Sequence, residues 1–282
     1  MSILNKLIEE AAKRAECIKK DGDYVTPDTG LLHCGVCNEP KQQIVKPNFR
    51  DPFLAFRECR CQREESQKER EELEQYDKEQ RQKKLKSKGI KTEAFKSFTF
   101  DSDDKRNIEV SKLCCNYIRH WDEMEKVCGG LLFYGDVGGG KSFYAGCIAN
   151  ALIKRDVPVL FTSLRDLVDN RQAAKFKGEE LIDLHEYRLF VLDDIGAEKL
   201  NRSDIDTAFS VIDDIYLLKK PLIVTTNLTI SQLTKPTNQE LARIYSRIVE
   251  RCPKPVYVDN SRYNRTTAAA EKRNRIDDIL SH

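Results

Sequence analysis

Five short apolar runs divide the chain from residue 131 onward, and stretches with helical periodicity lie between them. The runs cover residues 131–134, 157–162, 189–192, 221–226 and 255–259. Short runs of apolar and β-branched residues that alternate with helices are typical of a parallel sheet covered by helices. The pattern therefore predicts an α/β fold with a parallel five-stranded sheet.

The chain before these runs has a different pattern. Residues 2–20 place apolar side chains along one side of a helix, which either packs on its own domain or docks on a partner protein. Residues 62–88 are nearly all charged or amide, and glutamate–lysine pairs at i,i+4 favour a solvated helix. We therefore expect an N-terminal module over 1–61, a charged helical linker over 62–94 and the α/β domain over 95–282.

A glycine-rich segment follows the first apolar run of the α/β domain. Gly135, Gly140, Lys141 and Ser142 fit the pattern G-x-x-x-x-G-K-[ST] between a predicted strand and a predicted helix. Glycines let backbone N–H groups surround phosphate oxygens, and the N-terminus of the helix adds partial positive charge. We expect Lys141 to reach the β and γ phosphates of ATP and Ser142 to hold Mg²⁺. The predicted nucleotide-binding residues are Gly135, Asp136, Val137, Gly138, Gly139, Gly140, Lys141, Ser142 and Phe143.

Polar side chains end two of the later apolar runs. Asp193 and Asp194 follow the run at 189–192, and Asn227 follows the run at 221–226. Ligands of P-loop folds lie beyond the carboxyl ends of the strands, so Asp193 is expected to hold Mg²⁺ through water. Asp194 is expected to orient or deprotonate the attacking water, and Asn227 to reach the γ-phosphate or that water.

Two close cysteine pairs lie in the N-terminal module. Cys34 and Cys37 form a C-x-x-C pair, and Cys59 and Cys61 form a C-x-C pair. Two such pairs on two turns can converge on a tetrahedral Zn²⁺, which would then supply much of the stability of so small a module. His33 adjoins the first pair and is an alternative ligand.

Composition limits the classes of partner. The chain has 282 residues with 48 basic and 46 acidic side chains, so its formal charge of +2 gives no global attraction to nucleic acid or membrane. Nucleic-acid contact must come from a local patch, for which Lys175, Phe176 and Lys177 are one candidate. The sequence has no apolar run that could span a bilayer and no signal peptide, so we expect a cytoplasmic protein in which the ten cysteines are reduced.

A group of phenylalanines precedes the glycine-rich segment. Residues 94–100 (AFKSFTF) contain three of them. They pack either in the core or beside the adenine, and core packing is the favoured interpretation.

The order of these motifs resembles that of the AAA+ ATPases. The resemblance rests on GLLFYGDVGGGKSF, LFVLDDIG, IVTTNL and RIYSRIVERC, and it covers about residues 95–265. Together with the N-terminal cysteine pattern, it is similar to the bacterial and phage helicase loaders of the DnaC/DnaI type and to the IstB transposition helpers. The resemblance implies Walker A, Walker B and sensor 1 roles for Lys141, Asp193 and Asn227. Asp194 stands where many AAA+ proteins have glutamate, which implies slow hydrolysis.

The resemblance also implies that the protein acts as an oligomer. Arg247 would be an arginine finger that acts on the ATP of a neighbouring subunit. Sensor 2 would correspond to Arg262 or Arg265, but the 23 residues from Asn260 onward are too few to build the usual helical lid. The fold expected from the resemblance is thus an AAA+ domain with little or no lid.

The function implied is that of an ATP-dependent helicase loader. Such a protein binds a hexameric replicative DNA helicase through its N-terminal module and delivers it onto single-stranded DNA. An IstB-like transposition helper ATPase would share every ATPase motif, and a non-hydrolysing adaptor that switches with bound ATP is a further alternative.

Overall fold

The computed structural model describes residues 9, 11, 13–15, 19–198, 200–259, 273, 275, 276 and 279. The chain divides into two compact units, Met1–Glu79 and Gln80–His282. Within the predicted helix over 2–20, residues 9, 11 and 13–15 are helical. Arg262 and Arg265, the candidates for sensor 2, lie outside the described residues.

The first unit contains two short antiparallel ladders. Strand β1 (Tyr24–Val25) pairs with β2 (Leu32–His33), and β3 (Gln42–Val45) pairs with β4 (Phe53–Phe56). The side chain of Gln42 is buried and ties the two ladders together, because its Oε1 accepts a hydrogen bond from the backbone N–H of Leu32 at 3.0 Å. Its Nε2 also donates to the carbonyl of Ala11 at 3.3 Å.

Helix α1 (Arg60–Gly89) covers most of the charged stretch expected to be a linker. Its side chains are exposed along almost the whole length, as the charged sequence predicts. The division between the two units falls inside this helix, after Glu79. Ile90, directly after it, is fully buried and bridges to Phe161. The second unit therefore packs residues that precede position 95.

The second unit is built on a parallel five-stranded sheet, which confirms the predicted α/β fold. Its strands run in the order β6-β7-β8-β5-β9, and every pairing is parallel. The strands are β5 (Leu131–Tyr134), β6 (Val159–Ser163), β7 (Leu189–Ile195), β8 (Leu222–Thr226) and β9 (Lys254–Tyr257).

Helices cover both faces of this sheet. They are α2 (Glu93–Lys96), α3 (Ile108–Arg119), α4 (Trp121–Lys126), α5 (Lys141–Ile153), α6 (Leu164–Lys177), α7 (Arg202–Leu217), α8 (Ile230–Thr234) and α9 (Gln239–Arg251). Alternate strand residues face opposite layers, so Leu192 packs with α6, α7 and α9 whereas Val191 packs with α3, α4 and α5. Both faces of the sheet are buried under helices, which explains why the strand sequences are continuous apolar runs.

Two local features of this unit concern the end of α6 and the phenylalanines before the glycine-rich segment. Helix α6 ends at Lys177 because Gly178 adopts φ of +67°, and residues 179–183 after it are not helical. The phenylalanines of 94–100 are half-buried, and Phe95 and Phe100 pack against the core. The ring centroid of Phe95 lies 4.6 Å from that of Phe161, and the centroid of Phe98 lies 5.4 Å from that of Phe143.

Among the described residues, no helix combines the length and apolar character needed to cross a membrane.

Candidate functional site

The glycine-rich loop joins β5 to α5 in a conformation that only glycine adopts freely. Gly135, Gly138 and Gly140 have φ of +130°, +91° and +95°. A Cβ atom at Gly135 or at Gly139 would lie 2.7 Å from the carbonyl oxygen of Val258. The glycines are therefore required both by the backbone angles and by the close approach of the chain after β9. The loop leads directly into the N-terminus of α5, where a helix favours an anion.

Lys141 lies back across this loop. Its side chain is mostly buried, and Nζ donates hydrogen bonds to the carbonyls of Gly135 at 2.9 Å and Asp136 at 2.7 Å. Burial lowers the pKa of Lys141, against the opposing effect of the carboxylates of Asp194, Asp136 and Asp193. A cation held at the loop by these weak partners is available to phosphate oxygens.

The other predicted phosphate-site residues lie around the same loop. Ser142 is in the first turn of α5, and Phe143 next to it packs edge-on against Phe98. Val137 is largely exposed at the tip of the loop. A cavity of about 220 Å³ adjoins the loop and is lined by Gly138–Gly140, Tyr144 and residues of the segment 102–107. Its position beside the loop is suitable for the base and ribose of a nucleotide.

Asp193 and Asp194 are brought to this edge of the sheet by an irregularity at the end of β7. The register between β7 and β8 shifts between Leu192 and Ile195, and Asp194 has φ of +57°. The hydroxyl of Thr225 on β8 connects the two carboxylates: it donates to Asp193 Oδ1 at 2.6 Å and accepts the backbone N–H of Asp194 at 2.8 Å. Thr225 thus fixes the backbone conformation that orients the side chains of Asp193 and Asp194.

Asn227 adds a second contact to Asp194. Its Nδ2 donates to Asp194 Oδ1 at 2.8 Å. Burial raises the pKa of Asp194, the charge of Asp193 adds to this effect, and Lys141 opposes it. The residues Lys141, Asp193, Asp194 and Asn227 therefore lie at one edge of the sheet.

Thr225 was not singled out from the sequence, although it lies two residues before Asn227 in the run Thr-Thr-Asn. We expect Thr225→Val to leave Asp193 Oδ1 and the N–H of Asp194 without their partner, at a cost of about 1–3 kcal/mol in unfolding free energy. Denaturant unfolding of the variant measures this, and the Mg²⁺ concentration needed for nucleotide binding should rise. Thr225→Ser keeps the hydroxyl and is the control. Equal stability of the valine variant and the wild type would contradict the bridging role.

Arg247 makes its contacts within its own chain. It lies on α9, where its Nε is 3.3 Å from Asp213 Oδ1 and its guanidinium stacks 4.2 Å from the ring centroid of Tyr216, both on α7. Arg243 and Arg251, one turn to either side, stack on Phe209 and Tyr216 in the same way. Among the described residues, Arg247 thus contacts α7 and, at 4.0 Å, Glu250 on its own helix.

The four predicted cysteines of the first unit converge. The sulfur atoms of Cys34, Cys37, Cys59 and Cys61 all lie within 4.8 Å of one another. A tetrahedral Zn²⁺ with Zn–S bonds of about 2.3 Å separates its sulfurs by about 3.8 Å, so the cluster fits that ion after a small contraction. His33 is not part of this cluster. Its Nδ1 lies 2.9 Å from the carbonyl oxygen of Asn38.

The thiols of the cluster shift one another's pKa values. Backbone amides of Cys61 and Glu39 lower the pKa of Cys37 to about 6, whereas the hydrogen bond to Cys37 raises the pKa of Cys61 to about 11. Four adjacent thiols cannot all ionise without a cation among them, so this donor set is suited to a divalent metal.

A buried ion pair supports the first cysteine turn. Lys41 Nζ lies 2.5 Å from Asp23 Oδ2, and both side chains are almost fully buried. Asp23 Oδ1 also accepts the backbone N–H of Gly35 at 3.2 Å, which holds the turn between Cys34 and Cys37. Burial disfavours the charge of Lys41, but Asp23 together with Cys34 and Cys59 raises its pKa overall. Its positive charge would partly offset that of four thiolates.

The second unit, with its glycine-rich loop, paired aspartates and parallel sheet, defines a P-loop domain of the AAA+ class. Residues 54–270 match the sequence model of the family described as IstB-like ATP binding protein. The chain belongs to that family.

Relatives of known name share only part of their length with this chain. A Sinorhizobium fredii protein named as an insertion sequence ATP-binding protein is 31% identical over 100 residues, which are 34% of this chain and 33% of the relative. A Bacillus thuringiensis protein named for the insertion sequence IS232 is 31% identical over 101 residues, which are 35% of this chain and 40% of the relative. The matches thus span well under half the length of either relative.

A solved structure shares the fold. The crystal structure of the DnaC helicase loader has a TM-score of 0.50 with this chain at 19% identity, covering 60% of this chain and 100% of the loader chain. Similarity at this level of identity shows a common fold.

Proposed function

We propose that this protein is an ATP-dependent loader that binds a hexameric replicative DNA helicase and delivers it onto single-stranded DNA during DNA replication. The observation that carries the proposal is the pairing of a P-loop unit with a separate unit that presents a four-cysteine cluster. The family match begins at residue 54, so Cys34, Cys37 and the first ladder are additional to it. A small unit of this kind attached to an ATPase is suited to grip a partner.

Each residue of the nucleotide site has a distinct role in this proposal. The glycine-rich loop and Lys141 bind the phosphates of ATP, and Ser142 and Asp193 would hold Mg²⁺. The metal ion would neutralise charge that develops on the phosphate oxygens. Asp194 orients and deprotonates the attacking water, and Asn227 holds its carboxylate in place through the 2.8 Å hydrogen bond. The four cysteines would hold Zn²⁺ as a structural ion.

Asp194→Asn tests the assignment of the base. General-base catalysis typically contributes 10²–10⁴-fold, so we expect the ATPase rate of the variant to fall by about 100-fold or more while ATP still binds. Because the pKa of Asp194 is raised, wild-type activity should fall with decreasing pH at a higher pH than an ordinary aspartate would give. A pH series of turnover rates checks both points. A variant that kept the wild-type rate and pH profile would contradict the assignment.

The arginine finger requires a second subunit and a side-chain movement. Arg247 would have to leave Asp213 and Tyr216 to reach the nucleotide of a neighbour. We therefore propose that the protein works as a homo-oligomer whose hydrolysis is slow until assembly or partner binding frees Arg247. The shorter carboxylate of Asp194, where many AAA+ proteins have glutamate, acts in the same direction.

Co-purification with the host's hexameric helicase tests the loader proposal. The full chain should retain the helicase, whereas a chain that begins at Gln80 should not. Starting at Gln80 keeps Ile90 in the core of the ATPase unit and follows the division between the units. Failure of the full chain to retain the helicase would overturn the loader proposal.

A transposition helper is the second candidate, because both curated relatives are named for insertion sequences. In that case the full chain should retain a transposase and not the helicase. The ATPase variants behave alike under both candidates, so only the partner distinguishes them.

A further inference from the structure

The turn between β3 and β4 presents aromatic rings to solvent. Val45 and Phe53 form the last pair of the ladder, and residues 46–52 connect them. Phe49 within this turn is 97% exposed, and Phe53 is 48% exposed. Folding gains almost nothing from the ring of Phe49, since it buries hardly any surface there. We refer to Lys46, Phe49, Arg50 and Phe53 together as the hairpin tip.

Two positive charges lie in the same turn. Lys46 and Arg50 are exposed, and within the described part of the chain neither side chain forms an ion pair. Asp51 is the one acidic residue between positions 42 and 57, a stretch that also contains Arg57. The rings of the hairpin tip are thus flanked by cations whose charge is not neutralised by the fold.

Two prolines restrict the backbone of the turn. Pro47 and Pro52 bracket Phe49 and Arg50, and each proline fixes its own φ. The base of the hairpin is anchored by the buried side chain of Gln42. A restrained loop loses less conformational entropy when it binds a ligand, so exposed rings placed on it can contribute to affinity.

This arrangement has the chemistry that single-stranded nucleic acid requires. Unpaired bases stack on aromatic rings, and neighbouring cations contact the phosphates. A purely apolar partner would bury the charges of Lys46 and Arg50 without compensating them. In a duplex the bases are stacked on one another, so they could not stack on the rings. We propose that the hairpin tip binds single-stranded DNA, with bases stacked on Phe49 and Phe53 and phosphates on Lys46 and Arg50. The inference deepens the proposed function, since it assigns a DNA contact to the first unit.

Binding of the full chain, without nucleotide, to a fluorescent oligothymidylate tests this inference. Stacking on one ring is worth roughly five- to 150-fold in affinity, so we expect Phe49→Ala to weaken binding by about tenfold. Phe49→Trp keeps a stacking surface and should bind at least as tightly as the wild type. Tyr76→Ala is the matched control, because Tyr76 is 59% exposed on α1 among acidic neighbours and should not matter.

The charges are tested by the salt dependence of binding. Each phosphate contact to a single strand contributes about 0.7 to the slope of log affinity against log salt concentration. Arg50→Gln should therefore reduce the slope by about that amount. Unchanged affinity of Phe49→Ala together with an unchanged slope of Arg50→Gln would overturn the proposal, as would tighter binding to duplex DNA or to oligouridylate than to oligothymidylate.

The experiments distinguish failure of this inference from failure of the loader proposal. Phe49→Ala should still retain the helicase in co-purification, because the proposal assigns its ring to DNA. Loss of helicase binding with intact oligothymidylate binding would make the hairpin tip a protein contact, which overturns this inference and leaves the loader proposal standing. If the wild type bound oligothymidylate through Phe49 but retained no helicase, the loader proposal alone would fail.

Discussion

Lys141→Met is expected to abolish tight ATP binding and turnover. The side chain carries the positive charge of the glycine-rich loop. Among the described residues, its ammonium group donates hydrogen bonds to the carbonyls of Gly135 and Asp136. Removing one preorganised charge partner from a reacting group typically costs 10²–10³-fold in rate, so we expect a loss of about 100-fold or more. Titration with a fluorescent ATP analogue and a turnover assay measure the two effects.

Lys154→Met is the matched control for this substitution. Lys154 caps the other end of the same helix, α5, and is exposed. It should leave both ATP binding and turnover unchanged. The fold of Lys141→Met should survive, because the two carbonyls that Lys141 contacts lie on a loop open to water. A folded Lys141→Met protein that bound ATP as tightly as the wild type would contradict the phosphate-binding role.

The same variant tests whether Arg247 acts between subunits. A Lys141→Met subunit retains Arg247, and an Arg247→Ala subunit retains the phosphate loop. If Arg247 acts on the nucleotide of a neighbour, mixing the two inactive proteins should restore part of the turnover. Activity of the mixture no higher than the sum of the two would contradict action in trans.

Loss of zinc is expected to unfold the first unit and to leave the second unit folded. Apparent binding free energies of structural zinc are about 10 kcal/mol or more, which is larger than so small a unit can supply from its core. We expect the native protein to contain one zinc ion per chain and Cys59→Ser to contain none. Native mass spectrometry measures the metal. Limited proteolysis should then cut the variant within residues 19–79 and spare the parallel sheet.

Cys115→Ser provides the control for the cysteine substitution. Cys115 is an exposed thiol on α3 of the ATPase unit, apart from the four clustered sulfurs. The variant should keep one zinc ion and the proteolytic pattern of the wild type. Zinc retained in full by Cys59→Ser, or a native protein with no metal and four reactive thiols, would rule out the site.

Much of the nucleotide site could be predicted because its residues are close in sequence or end consecutive strands. The glycines before Lys141 identify a phosphate loop by spacing alone, and parallel strands bring Asp193 and Asn227 to one edge of the sheet. Thr225 could not be assigned in the same way. Its role depends on the register shift between β7 and β8, and cross-strand register is a property of two segments at once.

The orientation of Arg247 likewise needed the structure. Sequence reasoning placed it on a helix late in the domain, and α9 is that helix. Its contacts with Asp213 and Tyr216 join positions 31 to 34 residues apart, through the packing of α9 on α7. The exposure of Phe49 is a similar case, because an isolated phenylalanine in a sequence is expected to be buried.

The sequence by itself determined the class of fold, the phosphate loop, the two carboxylates at the end of β7 and the four cysteines, because local periodicity and short spacings encode each of these. Only the tertiary structure decided the strand order β6-β7-β8-β5-β9 and the hydrogen bonds of the Thr225 hydroxyl to Asp193 and Asp194. It also decided the contacts of Arg247 with α7 and the exposure of the charged, aromatic hairpin tip. These features depend on which distant segments pack together and on which side chains that packing leaves in water. Such contacts are set by the whole chain and have no local signature.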